Sequence, residues 1–370
     1  MRPGEELRGV WLARDSLGSR ASIARAMQAL AEAHCNVAFV DVWSRGYPAW
    51  PSEVFRRHTG LLGDPEWLGR DVVGEAVEEG RRSGVQVAAW FEYGFVGGWS
   101  GFFPGRSGKG PIFDAHSEWL ARTASGLDAF PIAGGSFFYW MAHARPDVQQ
   151  FLLDLVTELA LWYPVDGVQF DRARYPQIDC GYDESTRELY RQEHQGAPPP
   201  ANPNDPEWMR WRADRLTAFV RELYWRVKAA RPSVAVSNAP AVFPVSYVNF
   251  LQDYPAWLGE GSVDYMVPQI YRRTDREYQA ELDRQLGLAS PRSAVIPGVD
   301  ITNSRDPEDL ARQIESTWAR GLGGVVIWYQ VALEQTGAFP VLRRSVFAEK
   351  VEPPFPPARP ARPPRWRGRE

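Results

Sequence analysis

The strongest constraint on the fold is a series of eight short apolar segments, each rich in β-branched or aromatic residues and bounded by turn residues. They span residues 7–13, 36–43, 85–93, 166–171, 233–240, 263–271, 293–300 and 323–330. The last four begin roughly 30 residues apart, which is the spacing of a repeated strand and helix unit. This alternation predicts an α/β fold with a parallel sheet, and eight units favour closure into a (β/α)8 TIM barrel.

Helical patterns occupy the intervals between these segments. Residues 21–34 carry an apolar stripe at helical spacing, with Ser19 or Ser22 placed to cap the N-terminus. A second, strongly apolar helix is predicted from Pro146, because proline fits the first turn of a helix. The pattern between the fifth and sixth segments is weaker, since Pro255 interrupts it.

The domain organisation follows from these elements. We predict one barrel over residues 7–350 and a disordered tail over residues 351–370, which are rich in proline and arginine. Two connections exceed the length of a simple barrel loop: residues 94–145 after the third strand and residues 172–209 after the fourth. Both leave from strand C-termini, the face on which barrels build active sites.

Composition excludes several classes of function. The 370 residues have a net charge of −4, which argues against nucleic acid as a partner. No run reaches the roughly 18 apolar residues that a transmembrane helix needs, so no integral membrane segment is expected. The five histidines show no metal-binding spacing, and neither a phosphate-binding loop nor a nucleophile elbow is present. We therefore expect neither a metal nor an organic cofactor.

Polar and aromatic side chains cluster where the predicted strands end, and in a barrel these positions converge on one pocket. Carboxylates and amides there would hydrogen-bond to hydroxyl groups, while aromatic faces would stack on sugar rings, so we expect an oligosaccharide or polysaccharide ligand. The candidate residues are Asp41, Trp43, Glu92, Trp140, Asp171, Arg172, Arg174, Asn238, Gln269, Tyr271, Asp300 and Trp328.

Asp171 and Glu92 are the predicted catalytic pair, because they end neighbouring strands. Glycoside hydrolysis needs two carboxyl groups, about 5 to 5.5 Å apart for retention or about 6.5 to 9.5 Å apart for inversion. Arg172 and Arg174 would keep Asp171 ionised as nucleophile or charge stabiliser, whereas the aromatic neighbours of Glu92 would keep it protonated as general acid. The reserve carboxylates are Asp41 and Asp300.

Other interpretations fit the same residues. The aromatic residues Trp43, Trp140, Tyr271 and Trp328 could be sugar platforms or could pack in the barrel and its loops. A substrate with 2-acetamido groups would allow substrate-assisted catalysis. A non-catalytic carbohydrate-binding barrel would keep the platforms without a working carboxyl pair. A transglycosylase or lyase on the same scaffold would differ in the mass of its products.

Seven segments together resemble the bacterial glycosyl-hydrolase-like family 10, whose members are (β/α)8 barrels. They are "LRGVWLA", "NVAFVDVW", "GVQVAAWFEYGF", "PVDGVQFDRARYP", "CGYDEST", "WMRWRADRLTAFV" and "VDYMVPQIY". The resemblance covers roughly residues 7 to 335, and the order of the segments is more specific than any one of them.

This resemblance implies a glycosidase acting on bacterial cell-envelope or extracellular polysaccharide, with peptide-free peptidoglycan glycan as a substrate of some relatives. Asp171 matches the aspartate that ends the fourth strand, and Gln269 and Tyr271 match the polar and aromatic positions of the sixth. The chain departs from the family at Arg172, where many relatives have aspartate, and at Glu92, where many have asparagine. Relatives are generally exported, whereas the first residues here do not form a signal peptide.

Overall fold

A computed structural model describes residues 5–103 and 105–356 of the chain. Its centre is a sheet of eight parallel strands, one within each of the eight predicted segments. The strands are β1 (Leu7–Leu12), β2 (Val37–Asp41), β3 (Gln86–Phe91), β4 (Gly167–Phe170), β5 (Ala235–Asn238), β6 (Tyr265–Met266), β7 (Gly298–Asp300) and β8 (Gly324–Trp328).

The strand order is that of a TIM barrel. Strands β1 to β6 pair in chain order, β8 pairs with both β1 and β7, and every pairing is parallel. Parallel bridges from Met266 to Val295 and from Gln269 to Gly298 connect β6 to β7, so the sheet curls round on itself. The predicted (β/α)8 fold is therefore confirmed.

Fourteen helices are found in the described residues, and most of them surround the sheet. They are α1 (Arg20–Glu32), α2 (Glu53–Thr59), α3 (Val72–Ser83), α4 (Pro111–Ala115), α5 (Pro146–Trp162), α6 (Glu184–Glu193), α7 (Pro206–Ala230), α8 (Val245–Phe250), α9 (Tyr254–Gly259), α10 (Asp275–Leu288), α11 (Ile301–Ser304), α12 (Pro307–Trp318), α13 (Gln330–Gln335) and α14 (Ala338–Arg344). Within this part of the chain, no helix combines the length and apolar character that crossing a bilayer requires.

Local sequence signals explain several helix ends. Ser19 and Ser22 form a reciprocal capping box at the start of α1, so both predicted caps are used. Pro146 stands at the first turn of α5, as expected. The region between β5 and β6 holds two short helices: α8 ends where Leu251 adopts a left-handed conformation, and Pro255 lies in the first turn of α9.

The long connections carry structure of their own. After β2, Trp43–Ser44 and Tyr47–Pro48 form a small antiparallel hairpin. After β3, Val96–Trp99, Phe130–Pro131 and Phe137–Trp140 form a three-stranded antiparallel sheet. Short 3-10 helices cover Arg14–Ser16, Pro65–Trp67, Ser117–Trp119 and Arg292–Ala294.

The apolar core has two layers, because successive strand residues point to opposite faces. Outward-facing side chains pack beneath the helices in one large cluster. Inward-facing side chains fill the barrel, and they include Leu7, Trp11, Phe39, Trp90, Val267, Ile296 and Val326. Gly9 lies beside this interior layer, where an added Cβ would come within 2.6 Å of the Phe39 ring.

The first residues of the predicted tail pack against the N-terminal end of the barrel. Phe355 is 9% exposed and its ring stacks on Tyr265, with the ring centroids 5.9 Å apart. The Gln86 side chain donates to the Phe355 carbonyl at 2.8 Å and accepts from its N–H at 3.1 Å. The ordered contacts of the barrel thus extend beyond the boundary predicted at residue 350. Residues 357–370, to which the same prediction applied, lie outside the described residues.

Candidate active site

A pocket of about 120 Å³ opens at the C-terminal end of the barrel strands. This is the end at which TIM-barrel enzymes place their catalytic groups. Its lining combines two carboxyl groups, one guanidinium group, one amide and four aromatic rings. The lining residues are Trp11, Trp90, Glu92, Asp171, Arg172, Gln269, Tyr271 and Trp328.

Strand register brings Glu92 and Asp171 together. Phe91 on β3 is paired with Phe170 on β4, and the N–H of Asp171 donates to the Phe91 carbonyl at 3.1 Å. The rings of Phe91 and Phe170 stack on the outer side of the sheet. Because side chains alternate, the next residue on each strand faces the barrel interior, so the two carboxyl groups enter the pocket side by side.

Asp171 accepts three hydrogen bonds. Its Oδ1 accepts from the backbone N–H of Arg172 at 2.6 Å, while its Oδ2 accepts from Trp90 Nε1 at 3.4 Å and from Gln269 Nε2 at 3.3 Å. Burial raises the pKa of Asp171, whereas the charges of Arg172 and Arg174 and these donors lower it. Burial outweighs these contributions, so the pKa of Asp171 stands above its usual value, while the arginines and the donors favour the carboxylate form.

Glu92 differs from Asp171 in that other carboxyl groups, and not only arginines, lie beside it. It is 8% exposed, and its Oε1 lies 3.7 Å from Arg172 Nη2. Burial raises the pKa of Glu92 well above its usual value, and the neighbouring carboxyl groups of Asp41 and Asp171 raise it further, against the attraction of Arg172. Glu92 is therefore the carboxyl group of the pocket whose surroundings most strongly favour the protonated form.

Asp41 is a third buried carboxyl group, set behind Glu92. It ends β2, is fully buried, and makes no hydrogen bond of good geometry through either side-chain oxygen within the described residues. Burial raises its pKa to about 6, while Ser44, Arg14 and Arg45 act in the lowering direction. Asp41 is not among the residues that line the pocket, so its chemical influence passes through Glu92.

The backbone around Asp171 explains one glycine. Gly94 has a φ of +45°, and an added Cβ would lie 2.2 Å from the carbonyl oxygen of Asp171. Only glycine fits this close approach of the β3 loop to the end of β4. Arg172 also has a positive φ, of 47°, and its guanidinium lies over the Tyr93 ring, 4.7 Å from the centroid.

Three tryptophan rings form one wall of the pocket. The ring centroids of Trp11 and Trp90 are 6.1 Å apart, those of Trp11 and Trp328 are also 6.1 Å apart, and those of Trp90 and Trp328 are 5.8 Å apart. Below them, Trp11 Nε1 donates to Gln169 Oε1 at 2.7 Å. Trp11 and Trp90 are each 1% exposed, so the apolar face that this wall offers a ligand comes mainly from the partly exposed Trp328.

Trp11, Trp90 and Gln169 were missed in the sequence analysis, which considered only residues at and beyond the strand ends. Strand alternation could have found two of them. Trp90 is two residues before Glu92, and Gln169 is two residues before Asp171, so each shares the inward face of its strand. Trp11 lies on β1, where no candidate carboxylate marked the inward face.

The candidate residues from the sequence analysis divide into two groups. Six of them line the pocket: Glu92, Asp171, Arg172, Gln269, Tyr271 and Trp328. Two of the predicted sugar platforms, Trp43 and Trp140, do not line the pocket, because their rings are enclosed by protein. Trp43 is fully buried against Phe55 and Phe151, and its Nε1 donates to the Gly94 carbonyl. Trp140 is 3% exposed and packs beside His143.

The remaining candidates surround the pocket without lining it. Asp300 Oδ1 accepts hydrogen bonds from the N–H and hydroxyl groups of Thr302 and so caps α11. Asn238 is 1% exposed, with no partner for its amide group in the described residues. Arg174 is partly exposed and lies over the ring of Phe250. Elsewhere in the described ranges, no three His, Cys, Asp or Glu side chains are close enough to hold a metal ion.

Solved structures with similar folds include glycoside-hydrolase domains. The glycoside hydrolase domain of PgaB (BpsB) from Bordetella bronchiseptica is 16% identical in sequence, with a TM-score of 0.65 over 92% of this chain and 98% of that one. The catalytic domain of β-amylase from Paenibacillus polymyxa is 10% identical, with a TM-score of 0.66 over 94% and 99% of the two chains. At these identities the likeness concerns the fold alone.

Curated sequence relatives include glycosyl hydrolase DigH of Escherichia coli K12, which is 26% identical over 64% of this chain and 54% of its own length. Glycosyl hydrolase YngK of Bacillus subtilis 168 is 24% identical over 58% of this chain and 41% of its own length. The chain thus matches about half the length of these relatives. Residues 6–299 match the model of the family described as glycosyl hydrolase-like 10. The chain belongs to the glycosyl hydrolase-like 10 family.

Proposed function

We propose that the protein is a glycoside hydrolase that cleaves a bacterial cell-envelope or extracellular polysaccharide, with peptide-free peptidoglycan glycan as one candidate substrate. The proposal depends chiefly on one observation: two carboxyl groups with different charged neighbours, Asp171 and Glu92, share a pocket walled by tryptophan rings. Membership of a glycosyl hydrolase-like family supports the same reaction. Export from the cytoplasm, as expected from the resemblance, is part of the proposal.

The roles of the two carboxyl groups follow from their surroundings. Glu92, whose pKa is raised well above its usual value, donates a proton to the glycosidic oxygen of the leaving group. Asp171 stabilises the positive charge that develops on the sugar ring, either as a nucleophile or as an ion beside it. Gln269 and Trp90 orient the Asp171 carboxylate through their hydrogen bonds.

The substrate lies against the aromatic wall. Trp328 and Tyr271 are partly exposed and line the pocket, so each can pack against the apolar face of a sugar ring. The polar groups between them bind hydroxyl or acetamido groups. A substrate with acetamido groups would make the substrate-assisted route available, with Glu92 still the proton donor.

The test compares wild type, Asp171→Asn and Glu92→Gln on peptide-free peptidoglycan glycan and a panel of β-linked polysaccharides. Soluble products are weighed by mass spectrometry. Asp283→Asn is the matched control, because it removes an exposed carboxylate that pairs with Arg320 on the outer face of the molecule. Wild type and control should release hydrated oligosaccharides, and both pocket variants should lose at least about a thousandfold in rate.

Each other result changes the proposal in a specific way. Equal activity in wild type and Asp171→Asn would remove Asp171 from the reaction. Products with anhydro or unsaturated ends would indicate a transglycosylase or lyase. Binding of saccharide without cleavage on the whole panel would contradict hydrolysis and favour a carbohydrate-binding barrel.

A further inference from the structure

Arg174 differs from most arginines of the barrel in having no carboxylate partner. Its guanidinium lies over the rings of Phe250 and Trp140, 4.3 Å and 5.5 Å from their centroids. Among the described residues, its side chain makes neither an ion pair nor a hydrogen bond. Arg172, by comparison, lies 3.7 Å from Glu92. Arg174 therefore presents free N–H donors beside the pocket.

The backbone holds Arg174 in this position. Its carbonyl accepts from His143 Nε2 at 2.8 Å. The N–H of Tyr175 donates to the Phe250 carbonyl at 3.0 Å, which places the Phe250 ring under the guanidinium. A stacked guanidinium has lost much of its rotational freedom, so less entropy is lost when a ligand binds its edge.

The charged neighbours of Arg174 are of both signs. Arg174 lies two residues after Asp171, and these two charges attract, while Arg172 repels Arg174. Burial and this repulsion lower the pKa of Arg174 to about 10, which still leaves the group charged at neutral pH. Arg172 has Glu92 within 3.7 Å, whereas the Arg174 side chain has no carboxylate within ion-pair distance in the described residues. A ligand anion would therefore bind Arg174 without displacing an existing partner.

We infer that the saccharide bound in this pocket carries a carboxylate, and that Arg174 binds that carboxylate through paired N–H donors at the rim next to Asp171. The planar guanidinium fork matches a carboxylate, whose two oxygens accept parallel hydrogen bonds. The carboxylate could be the lactyl group of an amino sugar or the acid group of a uronic acid. This inference rests on the proposed function, because it specifies the substrate of the same site.

A competing role for Arg174 is electrostatic support of Asp171. Arg174 lowers the pKa of Asp171, so its loss would raise that pKa. The acid limb of the pH profile would then move to higher pH for every substrate, charged or neutral. Binding of a substrate carboxylate predicts a different result, namely a loss restricted to acidic saccharides.

The experiment uses two matched substrate pairs with the full chain. One pair is peptide-free peptidoglycan oligosaccharide and the same material with its carboxyl groups amidated. The other is oligogalacturonate and its methyl ester. For each pair, kcat/KM is measured by product release and affinity by titration calorimetry. The variants are Arg174→Gln and Arg174→Lys, and the control is Arg221→Gln, which removes an exposed arginine of α7 that pairs with Glu260.

Wild type and Arg221→Gln should prefer the acidic member of at least one pair by about 10- to 100-fold, and added salt should weaken the preference. Arg174→Gln should abolish this preference by lowering kcat/KM and affinity for the acidic member of the pair only. Arg174→Lys should keep part of the preference. The pair that shows the preference identifies the source of the carboxylate. Thermal melting of each variant confirms that it is folded.

Two results would overturn the inference while leaving hydrolysis intact. One is that wild type shows equal kcat/KM and affinity for the two members of each pair. The other is that Arg174→Gln lowers these quantities equally for acidic and neutral members. Failure to bind any of the four saccharides would overturn it as well. If calorimetry shows the Arg174-dependent preference but no product is released, the inference holds and the proposed hydrolysis fails.

Discussion

The carboxyl group of Glu92 lies 3.7 Å from the guanidinium group of Arg172, too far for the short charged hydrogen bond that such a pair forms at about 2.8 Å. The attraction of Arg172 lowers the pKa of Glu92 but does not outweigh burial and the charge of Asp41. Arg172 thus lowers the pKa of Glu92 and Asp41 raises it, so substituting either residue should shift this pKa in a defined direction.

Asp41→Asn should move the alkaline limb of the kcat/KM pH profile to lower pH. Asp41 raises the pKa of Glu92, so removing its charge lowers that pKa, and Glu92 loses its catalytic proton at a lower pH. The profile is measured on a substrate identified by the polysaccharide panel. Arg172→Gln provides a control of opposite sign, because Arg172 lowers the pKa of Glu92. Profiles with identical alkaline limbs in all three proteins would exclude Glu92 as the proton donor.

Asp41→Asn should also stabilise the fold increasingly as pH rises from 5 to about 7, with a constant difference at higher pH. The pKa of Asp41 in the folded state is about 6, above the usual value of 3.8. The folded state therefore keeps a proton that the unfolded state has lost, and its free energy of unfolding falls as pH rises through this interval. Asparagine does not titrate, so Asp41→Asn should raise the free energy of unfolding near pH 8 by on the order of 2–3 kcal/mol. Urea unfolding at several pH values measures it.

Asp283→Asn is the control for this stability series. Its partner Arg320 lowers the pKa of Asp283, so Asp283 is ionised in both folded and unfolded states across the interval. The difference between this variant and wild type should not change from pH 5 to pH 8. If Asp41→Asn gave the same flat difference, the buried carboxyl group would not be titrating in that range.

Trp328→Ala should mainly weaken saccharide binding, whereas Trp43→Ala should mainly lower the stability of the fold. Trp328 lines the pocket and is partly exposed, so its loss should weaken saccharide binding by about tenfold and cost less folding free energy than the loss of Trp43. Trp43 is fully buried between Phe55 and Phe151, and its loss should cost about 3–5 kcal/mol of folding free energy. Calorimetric titration and urea unfolding separate the two effects. A Trp43 variant of normal stability and weak binding would restore it as a sugar platform.

Phe355→Ala should destabilise the barrel by about 2–4 kcal/mol, because the ring is buried on Tyr265 at the N-terminal end of the strands. The melting temperature should fall, while kcat on the substrate should not change. Phe137→Ala, which removes a 38% exposed ring, is the matched control and should stay within about 0.5 kcal/mol of wild type. A stable Phe355 variant would show that residues 351–356 contribute nothing to the fold.

Local sequence patterns anticipated the barrel well because its parts are locally encoded. Each of the eight apolar segments contains one strand, and the signals at Ser19 and Pro146 are used where they were expected. The short strand β6 is the weakest match: only Tyr265–Met266 is regular within a predicted segment of nine residues. Pro268 lacks an N–H, which limits regular pairing beyond that point.

The sequence by itself determined the fold, the face that carries the pocket, and the carboxyl groups that end β2, β3 and β4, since these depend on periodicity and on position along a strand. Tertiary structure decided which aromatic rings reach the pocket. Trp43 and Trp328 both lie at strand ends, yet one is enclosed by Phe55 and Phe151 and the other borders the cavity. The tertiary structure also placed Asp41 next to Glu92 but outside the set of residues that line the pocket. Burial and distance depend on residues far apart in the chain, and only the closed barrel brings them together.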